Sequence, residues 1–334
     1  MPDDPKSSPD AAPDAAPDAA PSGAARGDSS LSDLRRRIDD IDTAIHDLLM
    51  QRIEVTQRIG AAKGADSVFM RPGREAVVLR RLIARHQGDL PRALIVRIWR
   101  EIFAAVTALQ GPFAVAVYAP EGSFGYRNLA RDHFGWRTPI TAYRSAAQVL
   151  EEVSDGRATA GVLPVPVEDG TSPWWRILAR AGAAMPRVVA RLPFAQVESS
   201  SAEVPAALAI SVAEPEETGN DRAYLVVETG QLVSRSNFKQ LLANAGFESR
   251  DIQSWEEGDD RSLNLVEVEG VVPADDARLA RLREQDDGTF SHVWAVGGFA
   301  VPLSAEDMGQ PGGQPGGQPG GQPGGQPEDG DVRA

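Results

Sequence analysis

The chain has 334 residues, no cysteine, four histidines and a formal net charge of −14. This composition excludes disulfides, thiolate metal sites and cysteine nucleophiles, and the scattered histidines give no reason to expect a metal. The acidic balance argues against nucleic-acid binding. No apolar run approaches about 18 residues and the N-terminal residues lack a secretory pattern, so we expect a cytoplasmic protein with no membrane segment.

Low-complexity segments stand at both ends of the sequence. Residues 1–30 contain the run PDAAPDAAPDAAP, and residues 304–334 contain repeats of GQPG. Regular prolines and glycines prevent a packed core, so we expect both segments to be disordered tails. Residues 31–110 carry 14 Lys and Arg against 10 Asp and Glu. A basic segment in an acidic chain suits a small anionic ligand.

A long first helix is predicted from Ser32, an expected N-cap, to the terminating Gly64. Its apolar residues recur at alternating steps of four and three: Leu34, Ile38, Ile41, Ile45, Leu48, Val55 and Ile59. We call these seven residues the apolar seam. A helix of about 33 residues is about 50 Å long, which two short helices of the same chain cannot cover. The seam therefore predicts a homodimer.

Two cations interrupt this helix on nearly one face. The heptad steps predict an apolar residue at position 52, where the sequence has Arg52. A charge on a buried seam costs several kcal/mol unless a partner neutralises it. Lys63 follows eleven residues later, about three turns along the helix. The two cations predict an internal anion site; cations that reach solvent or pair with a partner helix are the alternative.

Two shorter helices are predicted next, from Pro72 to His86 and from Pro91 to about Leu109. After them, strand-like and helical runs alternate over 111–213, which predicts an α/β domain. The strand-like runs are 113–119, 159–165, 187–192 and 206–212, and the helical runs are 145–154 and 174–182.

Residues 214–303 predict a βαββαβ domain. Its strands are expected at 223–228, 249–255, 262–269 and 290–298, and its helices at 235–245 and 275–284. The fold class predicted for the whole chain is therefore multidomain, with an all-α segment followed by α/β and βαββαβ domains.

Six spaced residues carry a resemblance to a known family. LRRRIDDIDTAIHDLLMQRIEVTQRIGAAKG, RPGREAVVLRRL and RIWREIFAAVTALQ resemble the three helices of the all-helical class of chorismate mutase, an intertwined dimer. The matching residues are Arg35, Arg52, Lys63, Arg74, Glu75 and Gln110. Two positions depart from the family: Arg71 stands where some members have Asp, and Val106 where a small polar residue is usual.

The resemblance implies a reaction and a role for each residue. Chorismate, a dianion, rearranges to prephenate with no proton transfer, covalent intermediate or cofactor, so catalysis consists of positioning and electrostatic stabilisation. Arginine forks match carboxylates, and a lysine gives an ether oxygen one compact donor. By resemblance, Arg52 and the other protomer's Arg35 clamp the carboxylates, Lys63 and Gln110 bind the ether oxygen, Glu75 accepts from the ring hydroxyl, and Arg74 orients the site.

Residues 113–300 resemble prephenate dehydratase, a periplasmic-binding-like fold, followed by its ACT domain. The segments YAPEGSFGYRNLARDHFG and SDGRATAGVLPVPVEDG carry this resemblance. In the second segment, Pro166, Val167 and Glu168 replace the family's Glu-Asn-Ser. The catalytic Thr-Arg-Phe is replaced by Arg222, Ala223 and Tyr224. Without that threonine and arginine, we expect no dehydratase activity.

The ACT-like segments GQLVSRS (230–236) and DIQSW (251–255) replace the family's phenylalanine-contact motifs. An aromatic amino acid remains the effector that the resemblance suggests, and regulation or scaffolding is the role expected of this half.

The leading hypothesis is a homodimeric chorismate mutase of aromatic amino-acid biosynthesis, in the shikimate pathway, with sites shared between protomers and no metal. A bifunctional chorismate mutase/prephenate dehydratase is one alternative. A non-catalytic helical module that activates a partner enzyme is the other.

Overall fold

The computed structural model describes residues 23–63, 69–120, 124–167, 173–180, 185–195, 205–230, 233–257, 261–285 and 290–309. The side chains of 23–29, Lys63 and Arg180 lie outside this description, as do most of the two expected tails. The chain divides into two compact units, Met1–Ala62 and Lys63–Ala334, each described here by itself.

The described part of the first unit is a long helix, α1 (Gly23–Lys63), of 41 residues, whose last residue is the first of the second unit. It begins nine residues before Ser32, so the expected N-cap is wrong and residues 23–30 are helical. No proline follows Pro21 in this stretch, so no residue breaks the helix before Ser32. The apolar seam is exposed along the whole of its length, from Leu34 (52%) to Ile59 (51%).

The second unit begins with the two shorter helices, α2 (Pro72–Arg85) and α3 (Arg92–Gln110). Proline at the first turn of α2 suits a position where the backbone N–H has no helical partner. Leu79 and Ile83 of α2 and Phe103 of α3 are buried. They belong to a core cluster that also contains Phe194, Ala195, Ala300, Leu303 and Met308. The α2–α3 pair is therefore packed on the sheet-containing part of its own unit.

Among the described residues, nine strands form one mixed sheet in the order β2-β1-β3-β5-β4-β9-β6-β8-β7. They are β1 (Val115–Tyr118), β2 (Ile140–Tyr143), β3 (Ala160–Pro164), β4 (Arg187–Leu192), β5 (Ala207–Ser211), β6 (Asp221–Thr229), β7 (Ser249–Glu256), β8 (Ser262–Glu269) and β9 (Phe290–Ala300). β1 runs parallel to β2 and β3, whereas β6 runs antiparallel to both β8 and β9.

Helices pack on the sheet. They are α4 (Gly125–Phe134), α5 (Ala146–Ser154), a 3₁₀ helix (Trp174–Arg180), α6 (Arg235–Ala245) and α7 (Ala277–Glu284). α6 and α7 bury Phe238, Leu242 and Leu282 in one core cluster, and the two tryptophans of the 3₁₀ helix lie in another.

The observed order β6-α6-β7-β8-α7-β9 confirms the βαββαβ pattern, and the predicted fold class of an all-α segment followed by mixed α/β structure is confirmed. The helix expected at 174–182 is 3₁₀ rather than α. The domain boundaries at 111–213 and 214–303 stay predictions, since β4 of the first range and β9 of the second pair within a single sheet.

None of the described helices is both long and apolar enough to cross a membrane. Nor do the described residues contain three or more His, Asp or Glu side chains grouped to hold a metal ion.

Gly297 marks the point where β9 meets β4. Its φ is +117°, and a Cβ there would lie 2.2 Å from the carbonyl oxygen of Val188. We predict that Gly297→Ala lowers the free energy of unfolding by about 3 kcal/mol, because overlap with backbone adds to left-handed strain. Gly88→Ala is the matched control: Gly88 also has positive φ but nothing within 4 Å. It should cost about 1 kcal/mol. Equal losses in denaturant titrations would contradict the close-approach argument.

Candidate active site

The six residues singled out in the sequence are divided between the two units. Arg35 and Arg52 lie on α1 in the first unit, whereas Arg74, Glu75 and Gln110 lie on α2 and α3 in the second. Lys63 is the last residue of α1 and the first of the second unit, and its side chain lies outside the described residues. The structure therefore places these residues on three helices in two units. That they come together in one site stays a prediction.

On α1 the two arginines have different surroundings. Arg35 is exposed and Arg52 is half-buried. The hydroxyl of Thr56 donates to the carbonyl of Arg52 at 2.9 Å, an ordinary contact between successive turns. The backbone of α1 is thus continuous and regular through the positions that carry Arg35, Arg52 and Lys63.

Glu75 lies in the first turn of α2, where a carboxylate is favoured by the helix dipole. Nη1 of Arg100 on α3 donates to its Oε2 at 2.6 Å. The Arg100 side chain is 4% exposed and that of Glu75 is 17% exposed. This is a buried, charge-assisted pair that joins the two helices and fixes one carboxylate oxygen.

Arg74 and Arg71 stand at the start of α2, beside Glu216. The backbone N–H of Arg74 donates to Oε2 of Glu216 at 2.9 Å, and Nε of Arg71 donates to Oε1 at 2.7 Å. Gly73 lies close to Glu216, because a Cβ at Gly73 would be 2.6 Å from the Cβ of Glu216. The Glu216 carboxylate therefore caps the N-terminus of α2. It accepts from a backbone N–H that has no partner within the helix.

Gln110 is the last residue of α3 and is half-buried. A cavity of about 430 Å³ opens beside the next residue, Gly111, and is also lined by Thr107, Phe113 and Asp155. The end of α3 is therefore accessible to small molecules.

The positions that correspond to a dehydratase catalytic motif lie on β6. The Tyr224 hydroxyl donates to Oε2 of Glu267 at 2.9 Å, and Nη1 of Arg222 donates to Oε1 at 2.7 Å. Burial, with the Glu267 charge, raises the pKa of Tyr224, so its hydroxyl stays protonated. Ala223 is buried in the core cluster that also contains Phe238, Leu242 and Leu282. Arg222 and Tyr224 are therefore both hydrogen-bonded to the same buried carboxylate, that of Glu267.

Of the three residues that replace the Glu-Asn-Ser motif, one is part of the packed interior. Pro166 is buried, and its carbonyl accepts from Nε2 of Gln253 at 2.9 Å. Val167 is exposed, and Glu168 lies outside the described residues.

Sequence reasoning missed Arg100 and Glu216. Arg100 carried a usable signal, since it interrupts the apolar periodicity of α3 three residues before the buried Phe103. Glu216 carried none, because its partners on α2 precede it by more than 140 residues.

Residues 34–111 match the family model for chorismate mutase type II. The bifunctional chorismate mutase/prephenate dehydratase of Stutzerimonas stutzeri is 36% identical over 141 residues, covering 40% of this chain and 38% of that protein. The protein of the same name from Neisseria gonorrhoeae is 34% identical over 137 residues, covering 41% of this chain and 37% of its own. The matched region thus spans less than two fifths of these relatives, although it covers more of this chain than residues 34–111.

Two solved structures resemble the chain weakly. GqqA, a quorum-quenching acylase, has 19% identity and a TM-score of 0.42, covering 58% of this chain and 96% of its own. Prephenate dehydratase from Arthrobacter aurescens in complex with L-Phe has 16% identity and a TM-score of 0.43, covering 57% and 92%. Scores below 0.5 carry no weight for fold or function. The family match agrees with the resemblance predicted from the six spaced residues, because residues 34–111 are similar to chorismate mutase type II.

Proposed function

We propose that the chain is a chorismate mutase that converts chorismate to prephenate. The observation that carries the proposal is the family match over residues 34–111, within which all six expected site residues are present. The chemistry suits these residue types, since the rearrangement needs a dianion to be held in a compact conformer and charge on its ether oxygen to be stabilised.

Each residue has a proposed role. Arg52 of one protomer and Arg35 of its partner clamp the two carboxylates through bidentate hydrogen bonds. Lys63 and Gln110 donate to the ether oxygen, and Glu75 accepts from the ring hydroxyl. Arg74, exposed at the start of α2, orients the ligand.

We propose further that the enzyme is a homodimer in which α1 pairs with α1 of a second copy. The exposed seam supports this partner, because its heptad spacing is self-complementary. Pairing would bury the seam and bring Arg35 to the partner's site.

For residues 111–303 we propose a scaffolding or regulatory role without dehydratase activity. The internal bonds of Arg222 and Tyr224 to Glu267 support this, since they replace a catalytic hydroxyl with a closed polar network. The names of the relatives favour the alternative of a bifunctional enzyme. An aromatic amino acid is the effector we would test first, and a non-catalytic helical module remains the third alternative.

The first test incubates the purified full chain with chorismate and follows prephenate and phenylpyruvate. We expect prephenate alone. Formation of both products would establish the bifunctional alternative, and formation of no product would favour the non-catalytic module.

We predict that Lys63→Ala reduces kcat/KM by about 10³-fold, because the ether oxygen loses its charged donor. Lys239→Ala is the matched control, since Lys239 is an exposed lysine on α6. Full activity in Lys63→Ala would refute the site assignment.

The second test addresses the seam with two substitutions that lie two residues apart. Leu48 is on the seam and 63% exposed, whereas Met50 is off the seam and 47% exposed. We predict that Leu48→Asp gives a monomer with turnover at least about tenfold lower, because the seam cannot bury an unpaired carboxylate. Met50→Asp should remain dimeric and active. Light scattering measures the mass; a fully active monomer would rule out a shared site.

A further inference from the structure

Arg100 is an unusual residue to find inside a protein. Its side chain is 4% exposed, in the middle of a helix whose other inward-facing residues are apolar. Moving a guanidinium out of water is costly unless its charge is compensated and its donors are used. The contacts of Arg100 therefore indicate what it does.

Two groups compensate the Arg100 charge. Nη1 donates to Oε2 of Glu75 at 2.6 Å, and the guanidinium carbon lies 5.4 Å from the ring centre of Phe194, within cation–π range. Glu75 belongs to α2 and Phe194 follows β4. The guanidinium therefore links a helix of the mutase segment to the sheet part of the second half.

The surroundings leave the carboxylate of Glu75 little freedom. His133 of α4 is 8% exposed, and burial together with the Arg100 charge holds its pKa well below the usual range. His133 is thus neutral at pH 7 and does not compete with Arg100 as a second cation. A cavity of about 10 Å³, lined in part by Glu75, Phe103 and His133, has room for about one water molecule.

We propose that Arg100 is a positioning residue for Glu75, and that the second half contributes to mutase catalysis by holding Arg100 through Phe194. This rests on the proposed function, in which Glu75 accepts from the ring hydroxyl of chorismate. Arg100 holds Oε2 of that carboxylate by a charge-assisted hydrogen bond, which sets the direction of the other oxygen. A purely structural role would not need the charge, since well-packed apolar residues of similar volume stabilise a buried site as well or better.

Arg80 provides a matched control. Its guanidinium carbon lies 5.9 Å from the same Phe194 ring, and it donates to Thr218 Oγ1 at 2.8 Å and to the Val301 carbonyl at 2.7 Å. It has the same charge and the same aromatic neighbour, but it donates to Thr218, Asn220 and Val301. Loss of Arg80 should therefore weaken packing between α2 and the sheet without misdirecting the carboxylate.

The experiment measures kcat and KM for chorismate, per folded molecule of full chain, in the wild type, Arg100→Met, Arg100→Lys, Glu75→Gln, the Arg100→Met/Glu75→Gln double variant and Arg80→Met. We expect Arg100→Met to lower kcat about 10- to 100-fold, the loss typical of a misplaced catalytic group. KM should change less than about threefold, because the Arg35 and Arg52 clamps are intact. Arg100→Lys should recover part of kcat, since it keeps the charge without the planar fork. Arg80→Met should retain wild-type kcat.

The double variant separates positioning from folding, because it removes both charges of the buried pair together. We expect its kcat to lie within about twofold of Glu75→Gln alone, since Arg100 then has no carboxylate to position. If Arg100→Met does not fold, Arg100→Lys and the double variant decide. The role of Arg100 is overturned if kcat is unchanged in the folded Arg100 single variants. It is also overturned if Arg100→Met lowers kcat by the same factor in Glu75→Gln as in the wild type. Either result leaves the proposed function intact. A wild type that does not rearrange chorismate overturns the proposed function and this role together.

Discussion

The apolar seam of α1 is the constraint on which the proposed enzyme depends. Seven apolar side chains, spread over about 40 Å of helix, keep 51–63% of their surface exposed in the single chain. Leaving that surface in water forgoes about 25 cal/mol for each Å² that a partner would cover. A second α1 offers the same spacing, and two-fold symmetry makes the two seams complementary. Arg35 and Arg52 lie on this helix, so the pairing that buries the seam would also build the anion site.

The helices α2 and α3, which carry the other proposed site residues, are held by the second half of the chain. α2 and α3 share a core cluster with residues near the ends of β4 and β9, and Glu216 caps the N-terminus of α2. The Arg100 guanidinium donates to Glu75 and lies over the ring of Phe194. A helix pair bound in this way has little freedom to change its geometry. On this account, a dehydratase-like half without its catalytic hydroxyl is still useful, because it fixes the two helices that carry Arg74, Glu75 and Gln110.

Local patterns predicted most of the elements. The helix at 235–245 and the strand at 262–269 were expected with the bounds that the structure has, because periodicity and turn residues define them within the segment. The start of α1 was misplaced, since Ser32 resembles an N-cap but no proline after Pro21 stops the helix earlier. The contacts of Glu75 were not predictable in the same way. They depend on Arg100, 25 residues away, and on Phe194, which tertiary packing alone brings together. Spacing therefore predicts which residues carry the chemistry, but it does not indicate which residues hold them in place.

The claim that two chains build each site can be tested by complementation. Arg35→Ala and Lys63→Ala should each be nearly inactive as homodimers. A heterodimer of the two would contain one site with Lys63 from the first chain and Arg35 from the second, both intact, beside one site that lacks both. The two variants, unfolded together in equal amounts and refolded, should therefore recover about a quarter of wild-type chorismate turnover, since random pairing makes half of the dimers mixed. A co-refolded mixture no more active than the separately refolded variants would contradict the shared site.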